Sequence, residues 1–271
     1  MVKKLFKHEF LSLFRLMLPI ECAVLGAGVL VRFVNIFESK SVWFESIITS
    51  SVLIMVAALF AGSVAAIVFG IIRYYKNLFS TEGYLSFTLP VTPAQHIFVK
   101  VITITAVELI AGVFAVISFC IATAGDLLEE IVKLIAYLLN MAFTELKPVH
   151  LILFMVELAV IIVIKTISRY LLYYACVTIG QLAHKHKVAL AFGVFGIYAV
   201  ISSVVSVFIN IFAGYLLATT SLYEKIAELF QKNPYTCIHI IFVIALAWYL
   251  ITSAIYFFIS NIIIKKKLNL E

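Results

Sequence analysis

The 271-residue chain is 64% hydrophobic and only 13% charged, and its formal net charge at neutral pH is +6. A soluble domain averages roughly 45–50% apolar and about 25% charged residues, so this composition excludes an ordinary soluble globular protein. The apolar runs are long and unbroken, whereas barrel strands alternate in short segments. Membrane-spanning helices are therefore predicted, because they satisfy their own backbone polar groups in lipid.

A helix needs about 20 apolar residues to cross a bilayer. We find no internal repeat and no flexible linker, so we predict one all-α transmembrane domain over residues 1–271. The first apolar run follows Lys3 and Lys4 but is longer than a secretory signal, which predicts a retained span. The predicted spans are Leu16–Phe37, Ile47–Ile72, Val101–Ala124, Leu151–Leu182, Val188–Leu217 and Cys237–Ile264.

Residues 1–15 predict a helix at the membrane interface. Phe6, Phe10 and Phe14 recur at helical spacing, and Lys7 and Arg15 lie among the residues of the opposite face. Such an amphipathic, basic helix is typical of one lying in the interface plane and leading into the first span. The alternative is a longer first span with a basic flank.

The connections between the predicted spans differ in charge. Basic residues are more numerous in the segments on the side of both termini, which predicts cytoplasmic termini by the positive-inside rule. The net charge then reflects membrane topology and needs no nucleic-acid partner. Residues 125–150 and 218–236 become outer connections, and their apolar stripes predict amphipathic helices that lie in the outer leaflet, form a lid or cap the bundle.

The longest cytoplasmic connection, residues 73–100, alternates aromatic and aliphatic residues with polar ones. Gly83 permits a turn, and we expect Pro90 and Pro93 to end any helix. The segment is not apolar enough to span a membrane and predicts a docking element for a cytoplasmic partner. The alternative is a loop that packs on the ends of its own helices.

Several ionisable residues fall within the predicted spans, where exposure to lipid would cost a few kcal/mol, so each should face protein or water. Glu108 lies about 10 Å into the third span at 1.5 Å per residue. Lys165 reaches a comparable depth in the fourth span, which predicts a Glu108–Lys165 pair with Arg169 as the competing partner. The pair either locks the bundle or forms a polar patch in a substrate path. The intramembrane set is Glu21, Arg32, Glu108, Glu157, Lys165 and Arg169.

Small residues recur every fourth position in the second span: Ala58, Gly62, Ala66 and Gly70. This spacing allows two helix backbones to approach closely in lipid. The sequence leaves open whether the contact is internal or lies across a dimer.

No pattern of reactive residues indicates an enzyme. The single aspartate, Asp126, excludes a paired-aspartate intramembrane protease, and we find neither a zinc-binding His-Glu-x-x-His motif nor a phosphate-binding loop. The four cysteines match no metal-site spacing and predict buried free thiols, with a Cys120–Cys237 disulfide as the alternative. They are Cys22, Cys120, Cys176 and Cys237.

Residues 79–92, which read FSTEGYLSFTLPVT, are followed by Lys100 at the start of the third span, and residues 180–187 read GQLAHKHK. With six spans and the N-terminal helix, these stretches make the chain similar to the six-helix permeases of type-2 (type V) ABC exporters of Gram-positive bacteria. The resemblance covers nearly the whole chain, and its most specific part is the stretch from Glu82 to Pro90.

The resemblance implies a permease in a bacterial plasma membrane that pairs with a second copy or a sister permease. Two separate ATP-binding subunits would hold ATP and Mg, with no cofactor on this chain. They would dock on a coupling helix between spans two and three, at Glu82, Gly83, Tyr84 and Leu85. The expected cargo is a peptide, an antibiotic or a lipid. Two alternatives remain, an ion-driven secondary transporter and a structural or assembly subunit.

Overall fold

The computed structural model describes residues 2–37, 41–80, 83, 88, 90–145, 148–183, 185–219 and 221–267. Within these ranges the chain is helical and contains no strand. The helices are α1 (Val2–Asn35), α2 (Val42–Phe79), α3 (Pro93–Ala122), α4 (Asp126–Glu145), α5 (Pro148–Gly180), α6 (Lys187–Thr219), α7 (Leu222–Lys232) and α8 (Pro234–Lys267).

Helices α1, α2, α3, α5, α6 and α8 are the six in the described ranges that are long and apolar enough to cross a membrane. The prediction of an all-helical, multi-pass membrane protein is therefore confirmed. The two amphipathic connections also form helices, as predicted, because α4 and α7 occupy most of residues 125–150 and 218–236.

The predicted interfacial helix over residues 1–15 does not exist as a separate element. Helix α1 continues from Val2 to Asn35 with Pro19 inside it. Leu13, Met17 and Val24 are each at most 3% exposed and lie on the same side of α1. Because one buried face extends from the first turns into the span, the N-terminal segment packs on protein, and its position at the membrane interface stays a prediction.

The connection predicted at residues 73–100 is shorter than expected. Helix α2 continues to Phe79, where Tyr74 and Leu78 are fully buried. The expectation that Pro93 ends a helix is wrong, because Pro93 begins α3. Proline fits the first turn, where the missing N–H has no helical partner. Thr92 and Gln95 form a reciprocal capping box around it, so the connection comprises residues 80–92.

The chain divides into two compact units, Met1–Lys147 and Pro148–Glu271. In the first unit α1 packs against α2 and α3. The hydroxyl of Ser118 on α3 donates a 2.8 Å hydrogen bond to the carbonyl of Val24. A Cβ placed on Gly28 would lie 2.5 Å from the Ser118 carbonyl oxygen, so glycine is what lets these two helices approach this closely.

In the second unit α5 packs against α8 and α6. A Cβ placed on Gly180, the last residue of α5, would lie 2.7 Å from the Cβ of Ala191 on α6. Tyr256 of α8 donates a 3.0 Å hydrogen bond to the hydroxyl of Tyr198 on α6. The turn predicted over residues 180–187 is observed between α5 and α6.

The small residues of α2 contribute to packing inside the first unit. Gly62, Ala66 and Gly70 are buried, and Ala58 is partly buried beside a small apolar cluster that includes Ala27 and Met55. A Cβ on Gly62 would lie 3.4 Å from Val24 of α1. The contact at Gly62 is therefore internal to this chain.

All four cysteines are free thiols in this structure. Because Cys120 and Cys237 belong to different units, the alternative disulfide between them stays a prediction. Cys176 is buried as predicted, Cys237 is half-buried, and Cys22 and Cys120 are exposed on the protein surface. The prediction of burial was thus wrong for the two cysteines of the first unit, because an apolar run does not reveal which of its faces meets protein and which meets lipid.

Candidate functional site

A buried polar site of several hydrogen bonds lies in the first unit, around Glu9. This residue is on the buried face of α1, one turn before Leu13, and it is 5% exposed. A carboxylate withdrawn this far from solvent needs hydrogen-bonding partners of opposite charge. Helices α2 and α3 both supply them.

The carboxylate of Glu9 has three partners. Oε2 accepts a hydrogen bond from Nε of Arg73 at 2.7 Å. Oε1 accepts from Nδ2 of Asn77 at 3.0 Å and from Nζ of Lys100 at 2.9 Å. Nη1 of Arg73 also donates to the hydroxyl of Ser12 at 2.7 Å. These five residues form the Glu9 cluster.

Local helix geometry explains how the Glu9 cluster assembles. Arg73 and Asn77 are four residues apart and therefore lie on one face of α2, and Glu9 and Ser12 are three apart on α1. Lys100 lies in the second turn of α3. The connection of residues 80–92 thus leaves α2 and enters α3 beside one shared carboxylate.

The cluster is withdrawn from solvent to different degrees. The side chains of Glu9 and Lys100 are 7% and 6% exposed, while that of Arg73 is 23% exposed. Desolvating two ions costs several kcal/mol, and close hydrogen-bonded contact between them offsets that cost. The cluster therefore favours one arrangement of the three helix ends over alternatives that would separate the charges.

The predicted docking residues are only partly described. Gly83 is buried, and its backbone N–H donates a 2.8 Å hydrogen bond to the carbonyl of Ser80. Glu82, Tyr84 and Leu85 lie outside the described residues, so their role stays a prediction. In the chain, this segment connects α2 and α3, the two helices that supply the partners of Glu9.

The intramembrane charges are distributed over both units. Glu21 is 4% exposed on α1, and among the described residues its Oε1 has no hydrogen-bond partner. Glu108 is half-buried on α3. Lys165 is exposed on α5, and the guanidinium of Arg169 lies 5.5 Å from the ring centre of Tyr170. Because Glu108 and Lys165 belong to different units, their pairing stays a prediction.

Arg32 lies near the C-terminal end of α1, as its sequence position predicted. Its guanidinium lies 3.0 Å from the place where a Cβ of Gly125 would be. Gly125 has φ of +111°, a conformation that favours glycine, and it directly precedes α4.

A second polar cluster joins α5 and α8 in the second unit. Nδ1 of His239 lies 2.9 Å from both carboxylate oxygens of Glu157, and Nε2 of His239 lies 3.3 Å from Nδ1 of His150. These contacts join α5 and α8 through the His239 ring, whose two nitrogens face Glu157 and His150. Tyr235 stacks on the His150 ring. Glu157 is thus an intramembrane carboxylate with a histidine partner.

We expect His239→Leu to lower the free energy of unfolding by about 1–3 kcal/mol, because it leaves the Glu157 carboxylate without its hydrogen bond in a half-buried site. The double variant His239→Leu with Glu157→Leu should recover most of that loss, since both polar partners are then removed. Thermal unfolding in mild detergent measures both. Equal losses in the single and double variants would contradict this assignment.

The sequence predicted Glu157 as an intramembrane charge but predicted neither cluster. Lys100 entered only through the resemblance, and no role was predicted for Glu9 or Arg73. The one available signal was a lone acidic residue on the apolar side of the amphipathic N-terminal helix, at the spacing of Leu13 and Met17.

Comparisons of this chain with protein-family models, curated proteins and solved structures gave no significant match.

Proposed function

We propose that this chain is the membrane subunit of an ATP-driven exporter, with ATP hydrolysis on separate subunits that dock at residues 80–92. The carrying observation is the Glu9 cluster, which fastens both ends of that connection to α1. A segment that transmits movement from a partner must be rigidly bonded to the helices that it moves. The six apolar helices and the resemblance of residues 79–92 and 180–187 further support the proposal.

In this proposal both termini and residues 80–92 face the cytoplasm. ATP binding draws the two ATPase subunits together, and the docked connection passes the movement to α2 and α3. The spans then alternate between inward and outward access, and cargo taken from the inner leaflet or cytosol leaves at the outer face. The cargo class is a peptide, an antibiotic or a lipid.

A second candidate is an ion-driven transporter, and the observation that favours it is Glu21. A carboxylate buried in a membrane helix, with one oxygen that has no hydrogen bond among the described residues, is typical of proton- or cation-coupled sites. We rank it second because it leaves residues 80–92 without a role.

The first test is purification from the native membrane in mild detergent, followed by mass spectrometry. We expect a stoichiometric ATP-binding-cassette subunit in the preparation. Its reproducible absence from intact complexes would refute the exporter proposal and favour the ion-driven candidate.

The docking site predicts a second result. Glu82→Ala with Tyr84→Ala should reduce recovery of the ATPase subunit at least about tenfold if these residues are binding hot spots, since truncating a hot spot costs about 2 kcal/mol or more. The matched control is Tyr223→Ala with Glu224→Ala on α7, where both side chains are exposed on the predicted outer face. Equal recovery in the two double variants, at equal thermal stability, would contradict the docking assignment.

A further inference from the structure

We propose that Glu9 is the positioning residue through which movement of residues 80–92 reaches the first span, so that α1 moves together with the ends of α2 and α3. This inference rests on the proposed function. The new element is that one carboxylate, far in sequence from the docking segment, transmits the movement of that segment to α1.

The first step is the geometry of the two ends of the connection. Arg73 and Asn77 precede it on α2, Lys100 follows it on α3, and all three donate to Glu9 at 2.7–3.0 Å. Neither helix end can move relative to α1 without breaking hydrogen bonds to the same side chain. Glu9 is therefore where the two ends of the connection meet α1.

The contacts that join Glu9 to α2 and α3 are difficult to break because they are buried. Glu9 and Lys100 are almost fully withdrawn from solvent, so water cannot readily replace a broken contact. Separating a buried ion pair costs far more than separating an exposed one. Under force, moving the three ends as one body is the less costly response.

The third step is what holds α1 farther along. Val24 and Gly28 contact Ser118 of α3, with a hydrogen bond of 2.8 Å at Val24. Gly28 lies 19 residues beyond Glu9, about 28 Å along a straight helix. Helix α1 is bonded to α3 near both ends of this interval. A shift of α3 therefore moves α1 with it over most of the length of the span.

The test is hydrogen exchange with mass spectrometry on the complete complex in lipid nanodiscs, without nucleotide and with ATP plus orthovanadate. In the wild type we expect amide exchange in residues 2–15 to change at least about fivefold on nucleotide addition, together with residues 73–79 and 93–100. In Glu9→Gln the change should persist in the latter two segments and disappear in residues 2–15.

Lys100→Met is the milder second variant, because Arg73 and Asn77 still bind Glu9. It should weaken the response of residues 2–15 without abolishing it. Glu129→Gln is the control, since Glu129 forms an exposed pair with Lys133 on α4, and it should behave as the wild type. A merely structural role for Glu9 would leave the nucleotide-dependent change of residues 2–15 intact in Glu9→Gln, whatever its exchange without nucleotide.

The outcomes separate the two proposals. If no ATP-binding subunit accompanies the wild type, both the exporter proposal and this inference fall. If the complex forms but residues 2–15 do not respond to nucleotide, or respond equally in wild type and Glu9→Gln, this inference alone is refuted. A selective loss of the response in residues 2–15 supports it.

Discussion

Glu9→Gln is expected to lower the free energy of unfolding by about 3–5 kcal/mol, the usual cost of removing one partner from a buried ion pair. Lys100 would remain nearly buried without its carboxylate, and the amide would keep only one oxygen to accept from Arg73, Asn77 and Lys100. Thermal unfolding in mild detergent should show a midpoint lower by on the order of 10 °C.

One control variant and one rescue variant test whether this loss of stability comes from the buried ion pair. Glu129→Gln removes an exposed ion pair of 3.4 Å and should change the free energy of unfolding by less than about 1 kcal/mol. Adding Lys100→Met to Glu9→Gln also removes the buried ammonium group that faced the carboxylate and should recover part of the loss. A midpoint for Glu9→Gln no lower than that of Glu129→Gln would show that the cluster contributes little to stability.

Gly28→Ala is expected to destabilise the first unit by about 1–3 kcal/mol, although alanine ordinarily favours a helix over glycine. The added Cβ would lie 2.5 Å from both the carbonyl oxygen and the hydroxyl of Ser118, and the obstructing carbonyl is backbone. Helices α1 and α3 must therefore separate, which also strains the hydrogen bond from Ser118 to Val24.

The matched control lies two residues away on the same helix. No described atom lies within 4 Å of a Cβ on Gly26, so Gly26→Ala should stabilise α1 by about 0.5–1 kcal/mol. The two alanine variants are thus expected to shift the thermal midpoint in opposite directions. A shift of the same sign in both would mean that the approach of α1 to α3 at Gly28 is looser than described.

The two destabilising changes act at two of the places where α1 contacts α3. Glu9 is held by charge near the N-terminus of α1, and Gly28 by close packing farther along the helix. If α1 transmits movement as proposed, Gly28→Ala should also weaken the nucleotide response, but beyond Gly28 and without abolishing the response of residues 2–15.

The sequence by itself predicted that most of this chain lies in lipid and that it contains six helices able to span a membrane. A run of about 20 apolar residues is a local property, and lipid leaves a helix as the only structure it can form there. The amphipathic helices α4 and α7 were predictable for the same reason, because their apolar stripes arise within single helices. The helix boundary at Pro93 was predicted wrongly. Pro93 was expected to end a helix, but it begins α3 behind the capping box of Thr92 and Gln95.

Only the tertiary structure decided which polar residues meet. Glu9 is 64 residues from Arg73 and 91 from Lys100, and no periodicity links positions so far apart. Hydropathy shows that a charge in or near a membrane needs a partner, but the partner depends on which helix faces pack together. The small residues of α2 illustrate the same limit, since their spacing predicted a close helix contact and only packing identified α1 as the neighbour of Gly62.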